Sequence, residues 1–300
     1  MKKTLIGLAK LTRFNEYVYF VIFTTLLGVT AADGYLNWRF PIILTANWLA
    51  VGFAFMINDI EDAPDDVLAA EKANRNPVSA GLISPSAART ATVAIGLLSA
   101  GLFVTLGIRT MIFGWLSLIL GFIYSYRGIR LKTIAFIDFL SHCLMLAGLQ
   151  YLSGYFTFSD TLNKGWFWPL LFVSAISIYG ELFNEMRDIV GDRQAHLRHT
   201  AIVLGEKNTQ ILMILMIGLG VFSGVITFFV LHTIPGWVLL VMVGLALIFT
   251  LPPLIRLQRN EKSIKIQQSF QKPLEQAAAL ALVLQFITPW LDQLLNLGLF

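Results

Sequence analysis

Nine apolar segments, each long enough to cross a lipid bilayer as a helix, constrain the fold of this chain more than any other feature of its sequence. They lie at residues 16–32, 40–57, 87–107, 110–126, 134–154, 166–186, 210–231, 235–255 and 275–293. A membrane-spanning helix needs about 20 predominantly apolar residues. The runs are continuous, unlike the alternating strands of a transmembrane β-barrel. The sequence therefore predicts an all-α, polytopic membrane protein with about nine transmembrane helices.

The composition argues against a soluble globular protein. Apolar residues make up 56% of the 300 residues and charged residues 13%, whereas about 25% of the residues of a soluble domain are charged. The net charge of +4 is therefore interpreted in relation to the membrane, and no nucleic-acid partner is expected. Cys143 is the one cysteine, which excludes an intrachain disulfide, and no Cys/His pattern indicates zinc.

The distribution of basic residues gives the orientation. When the nine segments alternate across the bilayer, 19 of the 22 Lys and Arg residues fall on the side that carries the N-terminus. The other side holds only Arg39, Arg109 and Lys164. Because cytoplasmic loops carry an excess of Lys and Arg, this asymmetry predicts a cytoplasmic N-terminus.

Two polar motifs in the chain share one pattern. Residues 58–66 read NDIEDAPDD and residues 184–192 read NEMRDIVGD, so both fit N-[DE]-x-x-D-x-x-x-D at an offset of 126 residues. The same offset carries the second apolar segment onto the sixth. Because the sites of polytopic proteins often lie where internal repeats meet, the two motifs are expected to converge on one face of the membrane.

The domain organisation follows from this repeat. Residues 1–300 are predicted to form one transmembrane domain, in which residues of about 10–126 and 134–255 are the two repeats. The last apolar segment, 275–293, is a ninth helix outside the repeat.

The spacing within each motif places its polar residues on one helix face, because residues i, i+4 and i+8 are aligned. The aligned sets are Asn58, Asp62 and Asp66 in the first motif and Asn184, Asp188 and Asp192 in the second. Aligned carboxylates repel one another and are costly near hydrocarbon, so a counter-charge is implied. Oxygen ligands without His or Cys suit Mg²⁺, which usually joins carboxylates to substrate phosphates.

Basic residues accompany both motifs on the same predicted side of the membrane. Lys72 and Arg75 follow the first motif, Arg193 and Arg198 follow the second, and residues 127–132 contain three more. Basic side chains beside carboxylates fit a metal-bridged polyphosphate. Positive-inside bias accounts for part of this pattern and for all of the basic loop at 256–272.

Four other polar residues lie in apolar segments. Asp138 and His142 are four residues apart in the fifth segment. As ionisable residues within the membrane they are functional candidates, but the favoured interpretation is that they satisfy each other structurally. Tyr179 and Glu181 lie about one turn before Asn184, where they could contact a substrate.

These motifs resemble those of the UbiA superfamily of intramembrane prenyltransferases. Residues 58–66 match the family's N-D-x-x-D-x-x-x-D, and residues 188–192 match its D-x-x-x-D. Residues 124–132 resemble its Y-S-x-x-x-x-R-L-K. The resemblance covers all nine segments and implies two four-helix halves around a central cavity, with the active site facing the cytoplasm.

The chain departs from the family pattern at three places. Glu185 stands where many members have Asp, and residues 74–81 read NRNPVSAG where members often read N-R-P-x-P-S-G. His199 interrupts the usual R-T pair. None of these departures is expected to touch the inferred metal ligands.

The resemblance implies an enzyme that ionises an allylic polyprenyl diphosphate, transfers the prenyl group to an aromatic or lipid-like acceptor and releases pyrophosphate. It implies Mg²⁺ held by Asp59, Asp62, Asp66, Asp188 and Asp192. The expected diphosphate ligands are Lys72, Arg75, Arg130, Lys132, Asn184 and Arg193. Catalytic roles are expected for Asn58, Asp62, Lys132 and Asp188, and an acceptor pocket for Arg13, Asn15 and Tyr124. For Arg13 and Asn15, a role as a structural anchor is equally open.

Two alternatives remain from the sequence. The same scaffold serves a terpene cyclase or a carotenoid-chain elongase, in which the allylic cation meets an alkene. A divalent-cation transporter is the alternative of another class, but its carboxylates are expected near the bilayer midplane rather than at helix ends.

Overall fold

The computed structural model describes residues 2–67, 70–194, 197–256 and 263–295, and in these ranges the chain is helical without a strand. The first six α-helices are α1 (Lys2–Leu11), α2 (Phe14–Ala31), α3 (Arg39–Asp66), α4 (Ala70–Arg75), α5 (Pro85–Thr105) and α6 (Ile108–Ser125). The other six are α7 (Ile137–Cys143), α8 (Leu149–Phe158), α9 (Phe167–Gln194), α10 (Thr200–Val225), α11 (Gly236–Arg256) and α12 (Ser263–Leu295). The prediction of an all-α fold is confirmed.

Eight helical stretches of the described chain are long and apolar enough to cross a membrane. They are Lys3–Ala31, Arg39–Asp66, Pro85–Thr105, Ile108–Ser125, Phe167–Arg193, Thr200–Val230, Gly236–Pro253 and Phe270–Asp292. The fifth predicted segment differs, because a π-helical turn at Leu144–Gly148 divides it into α7 and α8. That segment is nevertheless helical without a break from Ile137 to Phe158, so all nine apolar segments form helices.

Close backbone contacts hold the centre of the bundle together, where α2 packs on α8. A side-chain carbon added at Gly28 would lie 2.1 Å from the carbonyl oxygen of Tyr151, and one at Gly154 would lie 2.5 Å from that of Thr25. Only glycine permits helices to approach so closely, as is usual for helix packing in lipid.

A buried polar network crosses the same region. The side-chain nitrogen of Asn47 on α3 donates to Thr25 Oγ1 on α2 at 2.8 Å and to the carbonyl oxygen of Gln150 on α8 at 3.2 Å. Ser153 Oγ donates to Asn47 Oδ1 at 2.9 Å. Satisfied hydrogen bonds between helices fix their rotation in a medium without water. The network therefore sets the direction in which α3 presents its polar end.

The two polar motifs occupy equivalent positions in α3 and α9. Both helices are 28 residues long, and each carries its motif in its last turns. Helix α3 continues through Pro64 to Asp66, although a proline removes one backbone hydrogen bond. The i, i+4, i+8 alignment predicted for each motif is thus present, because both motifs are α-helical.

Candidate active site

One cavity of about 1230 Å³ receives the ends of α3 and α9. All five aspartates predicted to bind metal line it, together with Asn58 and Asn184. The two motifs lie 126 residues apart in the sequence. They line the same cavity because the fold places the ends of α3 and α9 next to it.

The loop between α6 and α7 supplies two cations to the first motif. Lys132 Nζ lies 2.7 and 2.5 Å from the two carboxylate oxygens of Asp62 and 2.9 Å from Asn58 Oδ1. Arg130 Nη2 donates to Asp62 Oδ1 at 3.0 Å and to Asp65 Oδ2 at 2.9 Å. Burial lowers the pKa of Lys132, and the Asp62 carboxylate offsets this only in part. Asp62 thus has the counter-charge that its position near hydrocarbon requires.

Asn76 orients the last aspartate of the first motif. Its side-chain nitrogen donates to Asp66 Oδ2 at 2.9 Å and to the Asp59 carbonyl oxygen at 2.7 Å. Its side-chain oxygen accepts from the backbone nitrogen of Val78 at 2.9 Å. Asn76 lies in the stretch where the chain departs from the family pattern, so the expectation that such departures leave the inferred ligands untouched was wrong here.

Arg13 connects the start of α2 to the first motif. Its Nη1 lies 3.5 Å from Asp59 Oδ1, and its guanidinium also pairs with Glu16. The guanidinium carbon lies 4.8 Å from the centre of the Phe55 ring. Arg75 reaches the same group, with Nη2 3.1 Å from Glu16 Oε2. Both arginines line the cavity.

The second motif has its own cation on the same helix. Arg187 donates to both carboxylate oxygens of Asp188, at 3.0 and 2.8 Å, and to Asn184 Oδ1 at 3.1 Å. The Asp188 side chain is 42% exposed, which leaves its carboxylate accessible from the cavity.

His199, at the start of α10, lies between two carboxylates of α9. Its Nδ1 is 3.3 Å from Glu185 Oε2 and its Nε2 is 3.3 Å from Asp192 Oδ2. Both distances lie in the range of an ion pair, but neither contact has the geometry of a hydrogen bond. Burial alone would lower the pKa of His199, but the two carboxylates outweigh it and raise the pKa to about 9. Glu185 and His199 are both departures from the family pattern, and His199 contacts an inferred ligand, which again corrects the expectation.

Two predicted residues do not line the cavity, and the side chain of a third is not described. Arg193 and Asn15 are exposed, and neither is among the described residues that line it. The side chain of Lys72 lies outside the described part of the structure, so its predicted role stays a prediction.

Asp138 and His142 do not pair with each other, so this prediction was wrong. Asp138 accepts hydrogen bonds from the backbone nitrogen and hydroxyl of Thr200, at 2.5 and 2.6 Å. It thereby joins α7 to the start of α10. His142 Nε2 instead lies 3.3 Å from Glu181 Oε2. The i, i+4 spacing places both residues on one face of α7, but it does not determine which neighbouring helix each side chain contacts. Asp138 contacts α10, and His142 contacts α9.

The rest of the cavity wall is largely apolar. Its apolar residues come from α2, α3, the π turn after α7, α9, α10 and α12, and include Phe20, Val51, Ala54, Phe55, Met145, Leu146, Ile176, Ile217, Phe270 and Leu274. Tyr17 stacks on Phe55 with ring centres 5.1 Å apart. The cavity therefore has a charged end and an apolar wall.

Sequence reasoning missed several residues of this cavity. Glu16, Asn76, His199 and Glu275 all line it. Glu275 comes from the ninth apolar segment and accepts a hydrogen bond from Gln271 Nε2 at 2.9 Å. The available signal was a carboxylate at the start of an apolar run, which is a functional candidate by default.

The donor set suits a hard divalent cation. The five aspartates offer only oxygen atoms, and Mg²⁺ prefers one or two carboxylates completed by water and phosphate oxygens. Within the described chain, no three His, Cys, Asp or Glu side chains are close enough together to hold an ion by themselves. The residues therefore fit a metal that is completed by a phosphate substrate better than one enclosed by protein ligands.

Comparison with known proteins gives consistent results. The sequence matches the UbiA prenyltransferase family over residues 21–271. Digeranylgeranylglyceryl phosphate synthase of Sulfolobus acidocaldarius is 25% identical over 210 residues, 67% of this chain and 73% of that protein. Lycopene elongase/hydratase of Haloferax volcanii is 30% identical over 221 residues, 68% of this chain and 67% of that protein.

The fold is also that of a solved structure. A UbiA homologue from Archaeoglobus fulgidus bound to GPP and Mg²⁺ superimposes with a TM-score of 0.71 and 17% sequence identity, over 94% of this chain and 98% of that chain. The family match covers most of the chain, and the helices form a multi-pass bundle. The chain is therefore an integral membrane prenyltransferase that belongs to the UbiA prenyltransferase family.

Proposed function

We propose that this protein transfers a prenyl group from an allylic polyprenyl diphosphate to a hydrophobic acceptor, with Mg²⁺ as cofactor and with release of pyrophosphate. The observation that carries the proposal is the single cavity in which five aspartates from α3 and α9 meet Arg130, Lys132 and an apolar wall. The Archaeoglobus homologue bound to GPP and Mg²⁺ supports the same donor chemistry.

The metal ligands in this proposal are Asp59, Asp62, Asp66, Asp188 and Asp192, which line the cavity from two helix ends. When bound there, Mg²⁺ supplies charge neutralisation to the diphosphate oxygens and so favours departure of the leaving group. Lys132 and Arg130, now held by Asp62, provide hydrogen-bond donors for the same oxygens. Donors fixed in advance stabilise charge that develops during bond breaking. Arg75 and Asn184 are further proposed donors.

The apolar wall accommodates the prenyl chain. Phe20, Phe55 and Leu146 lie on it, and apolar side chains favour a hydrocarbon tail over water. Exclusion of water also protects an allylic cation from hydrolysis. At the charged end of the cavity, Phe55 already has the Arg13 guanidinium over its ring and Tyr17 stacked on it, and such aromatic faces attract cations.

A second candidate on the same scaffold is elongation of a carotenoid chain. The Haloferax relative, a lycopene elongase/hydratase, favours it, whereas the Sulfolobus relative favours a glyceryl phosphate acceptor. The two candidate reactions use the donor site proposed above, and they differ in the acceptor group that bonds to the allylic carbon. We further propose one domain with two repeats, supported by the equal lengths of α3 and α9, and an active site on the cytoplasmic side.

The test uses purified protein in nanodiscs with Mg²⁺. Geranyl, farnesyl and geranylgeranyl diphosphate are each offered with a glycerol lipid carrying a free hydroxyl, with 4-hydroxybenzoate or with lycopene, and pyrophosphate and product are measured. Acceptor-dependent pyrophosphate release that stops with EDTA and returns with Mg²⁺ supports the proposal. Release without an acceptor and formation of a cyclic product indicate a cyclase instead. No release from any donor, together with Mg²⁺ flux in proteoliposomes, indicates a transporter.

A further inference from the structure

A second polar group lies on the cavity wall, separate from the inferred metal ligands. Glu181 of α9 is held from two other helices: the hydroxyl of Tyr124 on α6 donates to Oε1 at 2.9 Å, and His142 Nε2 on α7 lies 3.3 Å from Oε2. All three side chains are largely buried and line the cavity. A carboxylate within a membrane helix is costly unless it has a function or a partner, and here its two oxygens are fixed in place.

Two buried polar atoms, one on the same helix as Glu181 and one on the imidazole that faces it, have no hydrogen-bond partner among the described residues. One is Ser177 Oγ, on a residue that is 4% exposed and lines the cavity, and the other is His142 Nδ1. Ser177 precedes Glu181 by four residues, so both lie on one face of α9. An unsatisfied buried polar atom is unfavourable, and such atoms require an explanation in a native structure. A polar group of a bound ligand satisfies them.

The neighbours of this group define the ligand further. Met145, Leu146 and Ile176 line the same cavity and are apolar. The ligand that fits is therefore mostly hydrocarbon with one protic end. We propose that Tyr124, His142, Ser177 and Glu181, together the Glu181 cluster, bind the hydroxyl of the prenyl acceptor, and that Glu181 is the general base that removes its proton. This inference rests on the proposed prenyl transfer and adds the acceptor class to it.

The proposed step balances. The allylic C–O bond of the donor breaks, and its electron pair leaves with the diphosphate. A lone pair of the acceptor oxygen forms the new C–O bond to the allylic carbon, while the acceptor O–H bond breaks and its proton passes to the Glu181 carboxylate. The products are a prenyl ether and pyrophosphate, and the proton is later released to water.

The Glu181 cluster also separates the two acceptor classes. An alcohol fills the partner positions of Ser177 Oγ and His142 Nδ1, whereas a polyene has no polar atom and leaves both unsatisfied. A pocket built to hydrogen-bond a hydroxyl rejects an analogue that lacks it by as much as about 10⁴–10⁵. We therefore expect the hydroxylated lipid to be used and lycopene to be refused.

The experiment compares the wild-type protein with Glu181→Gln, Glu181→Asp and Ser177→Ala in nanodiscs. The probes are geranylgeranyl diphosphate, its non-ionisable thiolodiphosphate analogue and a glycerol lipid with one free hydroxyl. Glu181→Gln is expected to lower ether formation about 10²- to 10⁴-fold, the usual contribution of a general base. Its affinity for the thiolodiphosphate, measured by calorimetry, is expected to stay within about twofold of wild type. Glu181→Asp retains a carboxylate and is expected to recover part of the rate.

Ser177→Ala tests binding rather than proton transfer. It is expected to raise the KM for the hydroxylated acceptor about fivefold or more, with the donor affinity unchanged, since it removes one neutral hydrogen bond. The matched control is Glu206→Gln, an exposed carboxylate on α10 that is not among the described cavity residues. It is expected to behave as wild type.

Three results would overturn the inference. If Glu181→Gln forms the ether at a rate within tenfold of wild type, Glu181 is not the general base. If Glu181→Gln loses donor affinity by the same factor as it loses rate, Glu181 acts in donor binding or in folding. Faster prenylation of lycopene than of the hydroxylated lipid by the wild-type protein refutes the acceptor class. If the wild-type protein releases no pyrophosphate from any donor, the proposed function itself is wrong and this inference falls with it.

Discussion

The ammonium of Lys132 contacts both carboxylate oxygens of Asp62, at 2.7 and 2.5 Å, across the join between α3 and the loop that follows α6. Both side chains are mostly buried, with exposures of 16% and 20%. Asp62 is also a proposed metal ligand, so Lys132 neutralises it in the absence of substrate. The pair therefore holds a donor for the diphosphate in position before the substrate arrives.

Lys132→Met tests this arrangement. It removes the ammonium but keeps a side chain of similar length, and turnover is expected to fall about 10²- to 10³-fold, as for loss of a preorganised donor. Pyrophosphate release under saturating Mg²⁺ is the measurement. The control is Lys164→Met, because Lys164 is exposed and is not among the described cavity residues. A rate within threefold of wild type would show that Lys132 does not act on the diphosphate.

Asp62→Ala and Asp188→Ala are each expected to abolish turnover, because each removes a ligand from one of the two motifs. Their effects on stability are expected to differ. Asp62→Ala leaves Lys132 buried without its carboxylate, and breaking a buried pair costs about 3–5 kcal/mol. Asp188 is more exposed and pairs with Arg187 on its own helix, so its removal is expected to change stability little.

Asp62→Asn separates these two effects, because it keeps a hydrogen-bond acceptor for Lys132 while removing the charge. Thermal unfolding in detergent and pyrophosphate release are measured for all three variants. The control is Asp160→Ala, whose carboxylate is 92% exposed and pairs with Arg109 outside the described cavity wall. Near-normal turnover in both alanine variants contradicts a site built from two motifs.

Asn76→Ala is expected to impair the first motif without removing any ligand. Asn76 is 2% exposed and joins Asp66 to the Asp59 backbone and to Val78. Its loss is expected to lower stability by about 1–3 kcal/mol, since buried partners are left unsatisfied. It should also raise the Mg²⁺ concentration that gives half-maximal turnover.

Asn37→Ala is the matched control for this variant, because Asn37 makes a similar turn contact to Arg39 in a distant loop. Unchanged Mg²⁺ dependence in Asn76→Ala, despite a loss of stability, would restrict Asn76 to a structural role.

Hydropathy predicted the helical segments because the bilayer sets their length. The period of the α-helix likewise predicted the aligned faces of α3 and α9. Contacts between distant segments could not be predicted this way. Asn76 pairs with Asp66, and His142 pairs with Glu181. The helical period of the sequence around each residue does not indicate which residue of another segment it will contact. The π turn at Leu144–Gly148 is also invisible to hydropathy, because it changes the hydrogen bonding and not the composition.

His199 gives the last prediction. The imidazole lies between the carboxylates of Glu185 and Asp192, and these three side chains are 5%, 7% and 12% exposed. His199→Gln removes the counter-charge and leaves two buried carboxylates side by side, which is expected to lower stability by about 3 kcal/mol. The midpoint of thermal unfolding in detergent is the measurement. When Glu185→Gln is combined with His199→Gln, one of the two carboxylate charges is removed. The double variant is therefore expected to recover part of the lost stability. His232→Gln, on an exposed turn, is the control and is expected to leave the midpoint unchanged. If the double variant is less stable than His199→Gln alone, charge repulsion between Glu185 and Asp192 is not the cause.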